Sequence, residues 1–156
     1  KSIIVGVTED DKGVSYGGRL GFKGKILKPN GIPQKIKIMN GNFVLVPKKV
    51  FNVMGYLDHR FSHSLGDIDY GLRALKHKIN VYCTSEIIGF CSKNENIWYS
   101  ESSFSKRLNA LQSPKGTPLR EYFYFNNKHF SLFKGIKFLL ASFFALIFPE
   151  TYKSLK

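Results

Sequence analysis

The sequence predicts an α/β fold of short strands and short helices, and three observations carry that expectation. The apolar run Ile3-Ile4-Val5-Gly6-Val7 stands near the start and is closed by turn residues, as a buried strand is. Ile68, Leu72, Leu75 and Ile79 recur at i, i+4, i+7 and i+11, one stripe of a helix. Of 156 residues 43% are hydrophobic and 22% charged, which supplies a core and excludes a disordered chain. With only 2 Cys, no disulfide framework holds the fold.

In chain order, Asp10-Asp11-Lys12-Gly13 makes a hairpin turn after the first strand, and Pro29-Asn30-Gly31 makes another. Lys35-Ile36-Lys37-Ile38 alternates with period two, which predicts an exposed or edge strand. Residues 42–46 read as a buried strand ended by Pro47. Lys48–Met54 reads as a short helix, with Val50, Phe51 and Met54 on one face and Gly55 as its stop. Residues 57–66 form an irregular loop, and Asp67 is placed to cap the helix that carries the stripe. Residues 79–83 and 87–90 are two further extended pieces, and 92–121 are polar with a loop at 113–118.

From Tyr122 to Phe148, ten of 27 residues are Phe or Tyr. Here Lys134, Lys137, Ala141 and Ala145 share one helical face, and Ile136, Leu140, Phe143 and Ile147 share another. A helix over residues 136–148 reaches about 20 Å against a hydrocarbon core of roughly 30 Å, so it can lie on a membrane but not cross one. Core, partner surface and interfacial helix all fit this tail.

The 24 Lys and Arg against 11 Asp and Glu leave a net charge of +13, which asks for an anionic partner. Residues 12–49 hold nine basic side chains and no acidic one. Their aromatics are only Tyr16, Phe22 and Phe43, too few for a base-stacking platform, so no specific nucleic acid is expected. A solvated basic face accounts for the run as well.

Chemistry concentrates in Gly66-Asp67-Ile68-Asp69-Tyr70-Gly71-Leu72-Arg73. A carboxylate at the mouth of a helix can be fixed by backbone N–H groups and serve as a general base toward a hydroxyl. The same spacing is met by a capping Asp67 and an Asp69–Arg73 ion pair, and taken alone it favours that structural reading. His59 and His63, with Asp58 beside them, lack the third ligand that a metal site needs. Cys83 and Cys91 read as reduced, buried cysteines. Gly17-Gly18-Arg19 and Gly41-Asn42 are points where a ligand could approach the backbone, or simply turns.

Taken in order, these pieces resemble the C-terminal half of a family 2 glycosyltransferase, the inverting type with a GT-A fold. The likeness runs from about Ser2 to Pro149. It is carried by Ile4-Val5-Gly6, Tyr16-Gly17-Gly18, Met39-Asn40-Gly41-Asn42-Phe43-Val44-Leu45-Val46-Pro47 and Val50-Phe51-Asn52-Val53-Met54-Gly55-Tyr56-Leu57-Asp58. Phe61-Ser62-His63, the Gly66–Arg73 segment, Ile88-Gly89-Phe90-Cys91-Ser92-Lys93-Asn94, Trp98, Ser113-Pro114-Lys115-Gly116 and Arg120-Glu121 continue it. Each piece is weak, and the ordered set is specific.

The resemblance implies a mixed sheet with flanking helices over residues 1–121, the acceptor-side half of a catalytic domain, and an aromatic helical tail over 122–156 that associates with a membrane or dimerises. It implies transfer of a sugar from a nucleotide-sugar donor to a lipid-linked glycan acceptor, in surface polysaccharide synthesis at the cytoplasmic face of the membrane. Asp67 falls at the family's catalytic base, with Asp69 and Arg73 in support. Gly41 and Asn42 would line the cleft near the donor sugar, Asp58 would lie in the acceptor-side loop, and His63 and Trp98 would join the substrate contacts.

Two departures qualify the likeness. The nucleotide-binding half, with its Asp-x-Asp metal motif for Mg or Mn, would precede Lys1. Cys91 stands near the place where many relatives carry a metal-binding His. The chain is therefore expected to be a piece of a longer enzyme, to hold no metal by itself and to be inactive alone. A non-catalytic basic module for anionic lipid or RNA is the alternative.

Overall fold

A computed structural model of the chain describes residues 1–93 and 97–155; Asn94, the last residue of the run from Ile88, lies outside them. The fold is mixed α/β, with seven strands and six α-helices among the described residues. It divides into two compact units, Lys1–His59 with Gly66–Asn94, and Arg60–Leu65 with Glu95–Lys156.

The first unit is built on β1 (Ser2–Asp10), the strand expected at the start. Ile3, Val5 and Val7 are fully buried at alternate positions, the period of a strand with one face inward. A tight turn leads into β2 (Gly13–Tyr16), antiparallel to β1. Beyond it, β3 (Gly18–Arg19) and β5 (Ile38–Met39) form a separate antiparallel ribbon. Between them β4 (Gln34–Lys35) closes the far edge of the main sheet. The 35–38 alternation therefore holds, with Ile36 and Ile38 buried and both lysines exposed, but the chain divides it between two sheets.

The buried strand expected over 42–46 is corrected. Only β6 (Val44–Leu45) pairs, antiparallel to Ile4 and Val5. Phe43 and Leu45 point outward from this short edge while Val44 and Val46 pack on the core, so half the segment faces water. The helix α1 (Lys48–Met54) has its expected bounds, and Gly55 stops it at φ 65°, a left-handed conformation that favours glycine.

The next helix, α2 (Gly66–Lys76), begins at Gly66, so Asp67 lies inside the first turn and not at the cap. Its inward face is Gly66, Asp69, Tyr70, Gly71 and Ala74, whereas Ile68, Leu72 and Leu75 of the expected stripe are half-buried. The rotation follows from Gly71, where a Cβ would fall 2.9 Å from Met39 Cγ, and from a buried ion pair described below. The last strand, β7 (Asn80–Phe90), runs parallel to β1 and joins the two extended pieces expected separately. Its polar middle forms a bulge: Val5 faces Cys83 and Val7 faces Ile87, and the Val7 N–H donates to Thr84 Oγ1 at 3.0 Å. The core of the unit joins Ile3, Val5, Val81 and Cys83 of the sheet to Val50 and Met54 of α1 and Tyr70 and Ala74 of α2.

In the second unit a short 3₁₀ turn at Trp98–Ser100 and the helix α3 (Phe104–Gln112) occupy the polar stretch, and the 113–118 loop follows as expected. The aromatic tail is three helices: α4 (Leu119–His129), α5 (Leu132–Ile147) and α6 (Pro149–Ser154). Ser103 and Ser131 cap α3 and α5, each accepting from a backbone N–H three residues on. Phe61 sits against the rings of Tyr124 and Phe125, and Trp98 against Leu111, Ala145 and Leu146.

The faces of α5 are arranged unlike a core helix. Its buried residues are Gly135, Ser142, Ala145 and Leu146, and Gly135 is so close to Phe123 of α4 that a Cβ would fall 2.9 Å away. The large apolar residues Ile136, Leu140, Phe143 and Ile147 are all exposed. No helix among the described residues is long and apolar enough to cross a membrane.

Candidate functional site

In the first unit, α1, α2 and the segment between β5 and β6 enclose a cavity of about 280 Å³. Its walls are apolar and aromatic, from Met39, Val44, Val46, Phe51, Tyr56, Leu57 and Tyr70, with Gly41 and Gly55 between them. Asp67 is the only carboxylate on that wall among the described residues.

Asp67 is held from two sides. Its Oδ2 accepts the Gly41 N–H at 2.5 Å, and its Oδ1 accepts the N–H of Ile68 at 2.7 Å. The first bond needs a glycine, because a Cβ at Gly41 would fall 2.9 Å from Asp67 Cβ. Both bonds fix the orientation of the carboxylate within the first turn of α2. A charged carboxylate aimed into a largely apolar cavity is suited to accept a proton from a hydroxyl bound there.

Asp69 and Arg73 act as a brace. Asp69 is fully buried and accepts from Arg73 Nε at 2.8 Å. The same guanidinium donates to the carbonyls of Met54 at 3.1 Å and Tyr56 at 2.9 Å. Tyr70 adds a bond from its hydroxyl to the Gly55 carbonyl at 3.1 Å. Burial pushes the Tyr70 phenol up, against the opposing influence of Arg73, so it keeps the proton that it donates. Three side chains of α2 thus fix the 54–56 turn that forms one wall of the cavity.

The other expected residues are placed as follows. Asn42 is exposed, and its side-chain amide donates to Cys91 Sγ at 3.1 Å, so it does not line the cavity. Asp58 is half-buried in the segment after α1 and also lies off the cavity wall. His63 and Trp98 belong to the second unit, His63 exposed and Trp98 in its core. There Ser62 donates from both its N–H and its hydroxyl to Glu121, at 3.0 and 2.6 Å, bringing together two segments 59 residues apart. Cys83 is buried and Cys91 half-buried, and both are free thiols. Among the described residues no group of three His, Cys, Asp or Glu converges to hold a metal ion, so no residue is assigned to Mg or Mn.

Tyr56, Leu57 and Tyr70 are cavity residues that the sequence reading gave no role. The signal for Tyr70 was its place three residues after Asp67, which puts both on one side of a helix. Tyr56 and Leu57 gave no comparable signal, since they follow a helix stop in irregular chain.

Gly41→Ala should lower stability by about 1–3 kcal/mol through this overpacking and should break the bond to Asp67. Urea unfolding measures the first effect, and an unchanged midpoint would mean that the segment moves aside freely.

Compared with protein-family models, with curated proteins and with solved structures, the chain matches none.

Proposed function

We propose that this chain is the acceptor-side half of an inverting family 2 glycosyltransferase with a GT-A fold, and that Asp67 is its general base. One observation carries the reading: a single carboxylate, pinned by the Gly41 N–H at the first turn of α2, faces a cavity with otherwise apolar walls. In this reading the acceptor hydroxyl enters the cavity and Asp67 takes its proton. The acceptor oxygen bonds to the anomeric carbon from the face opposite the leaving group, and the nucleoside diphosphate departs with the bonding pair. Asp69 and Arg73 are positioning residues, since they hold the cavity wall through the 54–56 turn. Donor-nucleotide recognition, and any Mg or Mn with its Asp-x-Asp motif, are assigned to no residue of this chain.

The test is to incubate the full-length protein with labelled nucleotide-sugars and a lipid-linked glycan extract. Transfer of label to the lipid fraction is expected from one donor. Absence of transfer from every nucleotide-sugar would reject the reading.

The reading also places the enzyme at the cytoplasmic membrane face, with α5 as the contact. Its exposed stripe of Ile136, Leu140, Phe143 and Ile147 has lysines 134 and 137 beside it, and no acidic residue occurs from 122 to 149. That combination suits an anionic lipid surface. The full chain should sediment with anionic vesicles and not with neutral ones, and Leu140→Glu with Phe143→Glu should cut the bound fraction at least about tenfold. Vesicle binding unaffected by the two changes would reject the contact. Loss of a concentration-dependent dimer in the variant would assign the face to a homodimer instead.

A further inference from the structure

The first unit holds a second, larger cavity of about 950 Å³ that the proposed chemistry does not use. Six cationic side chains line it: Lys12, Arg19, Lys23, Lys25, Lys28 and Lys93. Among the described residues, only Glu9 and Glu86 stand against them, while Phe22, Ile26 and Ile87 supply an apolar stretch of wall.

The cations are gathered by specific bonds. Asp10 accepts the N–H of Lys12 at 2.8 Å and that of Lys93 at 3.2 Å, drawing two distant segments to one rim. These two N–H groups hold the Asp10 carboxyl below its ordinary value, so the clamp stays charged at neutral pH. The loop carrying Lys23, Lys25 and Lys28 is tied at its base, where Leu27 N–H meets the Gly18 carbonyl at 2.8 Å and Gly31 N–H meets that of Ser85 at 3.1 Å. Arg19 extends from the β3–β5 ribbon, and among the described residues its buried Nε has no hydrogen-bond partner. A buried guanidinium N–H with no acceptor is costly, and an incoming anion would satisfy it.

We propose that this cavity binds the diphosphate group of an organic ligand. The cations come from three separate segments, which two linked phosphates can bridge more fully than one, and the apolar wall would receive the group attached to them. The cavity and the Asp67 cavity share the β3–β5 ribbon: Arg19 lines the first, and Met39, paired with Gly18, lines the second. A ligand held here by its diphosphate would thus sit on the ribbon that also walls the Asp67 cavity. Whether it is the carrier of the acceptor rests on the glycosyltransferase reading; the binding itself does not.

The test titrates the full chain with inorganic pyrophosphate, uridine diphosphate and farnesyl diphosphate at one fixed ionic strength, by calorimetry. Saturable binding of pyrophosphate is expected, with the tighter of the two organic ligands identifying a nucleoside or a lipid source. Lys25→Glu with Lys28→Glu, both at exposed positions, should weaken all three by at least about tenfold. Asp67→Asn should leave these affinities unchanged, so that failure of the catalytic reading and failure of this site are told apart. No binding of pyrophosphate, or affinities indifferent to the charge reversal, would overturn the proposal. So would a single-stranded RNA that binds more tightly than every diphosphate and is not displaced by them.

Discussion

Asp67→Asn in the full-length protein should lower kcat of the proposed sugar transfer by about 100- to 10,000-fold, with donor affinity held within about twofold. The substitution keeps the side-chain volume, and its amide oxygen can still accept the Gly41 N–H that now meets Asp67 Oδ2. What disappears is the ability to take a proton, together with the bond from the Ile68 N–H, which the amide nitrogen in place of Oδ1 cannot accept. The change therefore separates base chemistry from the architecture around it. A circular-dichroism melt that matches the parent would show that the wall of the cavity is intact. Turnover equal to the parent's would remove Asp67 from the mechanism.

Asp69→Ala should cost about 3–5 kcal/mol of stability, because it strips the counter-ion from a largely buried guanidinium. Asp69 is fully buried and the Arg73 side chain is 22% exposed, so little water can replace the lost carboxylate. The remaining bonds of Arg73 to the Met54 and Tyr56 carbonyls would hold an unpaired charge against the end of α1. Replacing both partners, as in Asp69→Leu with Arg73→Met, should cost less than Asp69→Ala alone, since no buried charge is then left. Urea unfolding of the single and double variants decides this. A double variant less stable than the single would mean that the pair contributes more than mutual neutralisation.

Much of this architecture could be read from residue order, and the misreadings have physical causes. Lys48–Met54 was legible to the residue, because a short apolar face ends at a glycine whose positive φ no other residue adopts easily. The polar residues Thr84 to Glu86 hid the continuity of β7, since a side-chain hydroxyl stands in for a ladder bond across the bulge. The inward face of α2 departs from the apolar stripe for a different reason. Hydropathy counts Asp69 as a surface residue, whereas a paired carboxylate can be the most buried group on its helix.

The site was legible in the same uneven way. The Gly-Asp-x-Asp spacing pointed to Asp67 and to the Asp69–Arg73 pair, but not to which of the two carboxylates faces open space. That depends on Gly41, 26 residues earlier, whose N–H and missing Cβ fix the orientation of Asp67. The basic run from Lys12 was visible as charge. Its concavity was not, because Lys93 and Glu86 join it only through β7 and Asp10.

An inverting transfer with Asp67 as base fixes the anomeric configuration of the product. The full-length protein is given a nucleotide-sugar of known configuration, and the new linkage is read by proton NMR from the coupling of the anomeric proton. The account expects the opposite configuration in the product, a β linkage from an α-linked donor. Retention of the donor's configuration would contradict it.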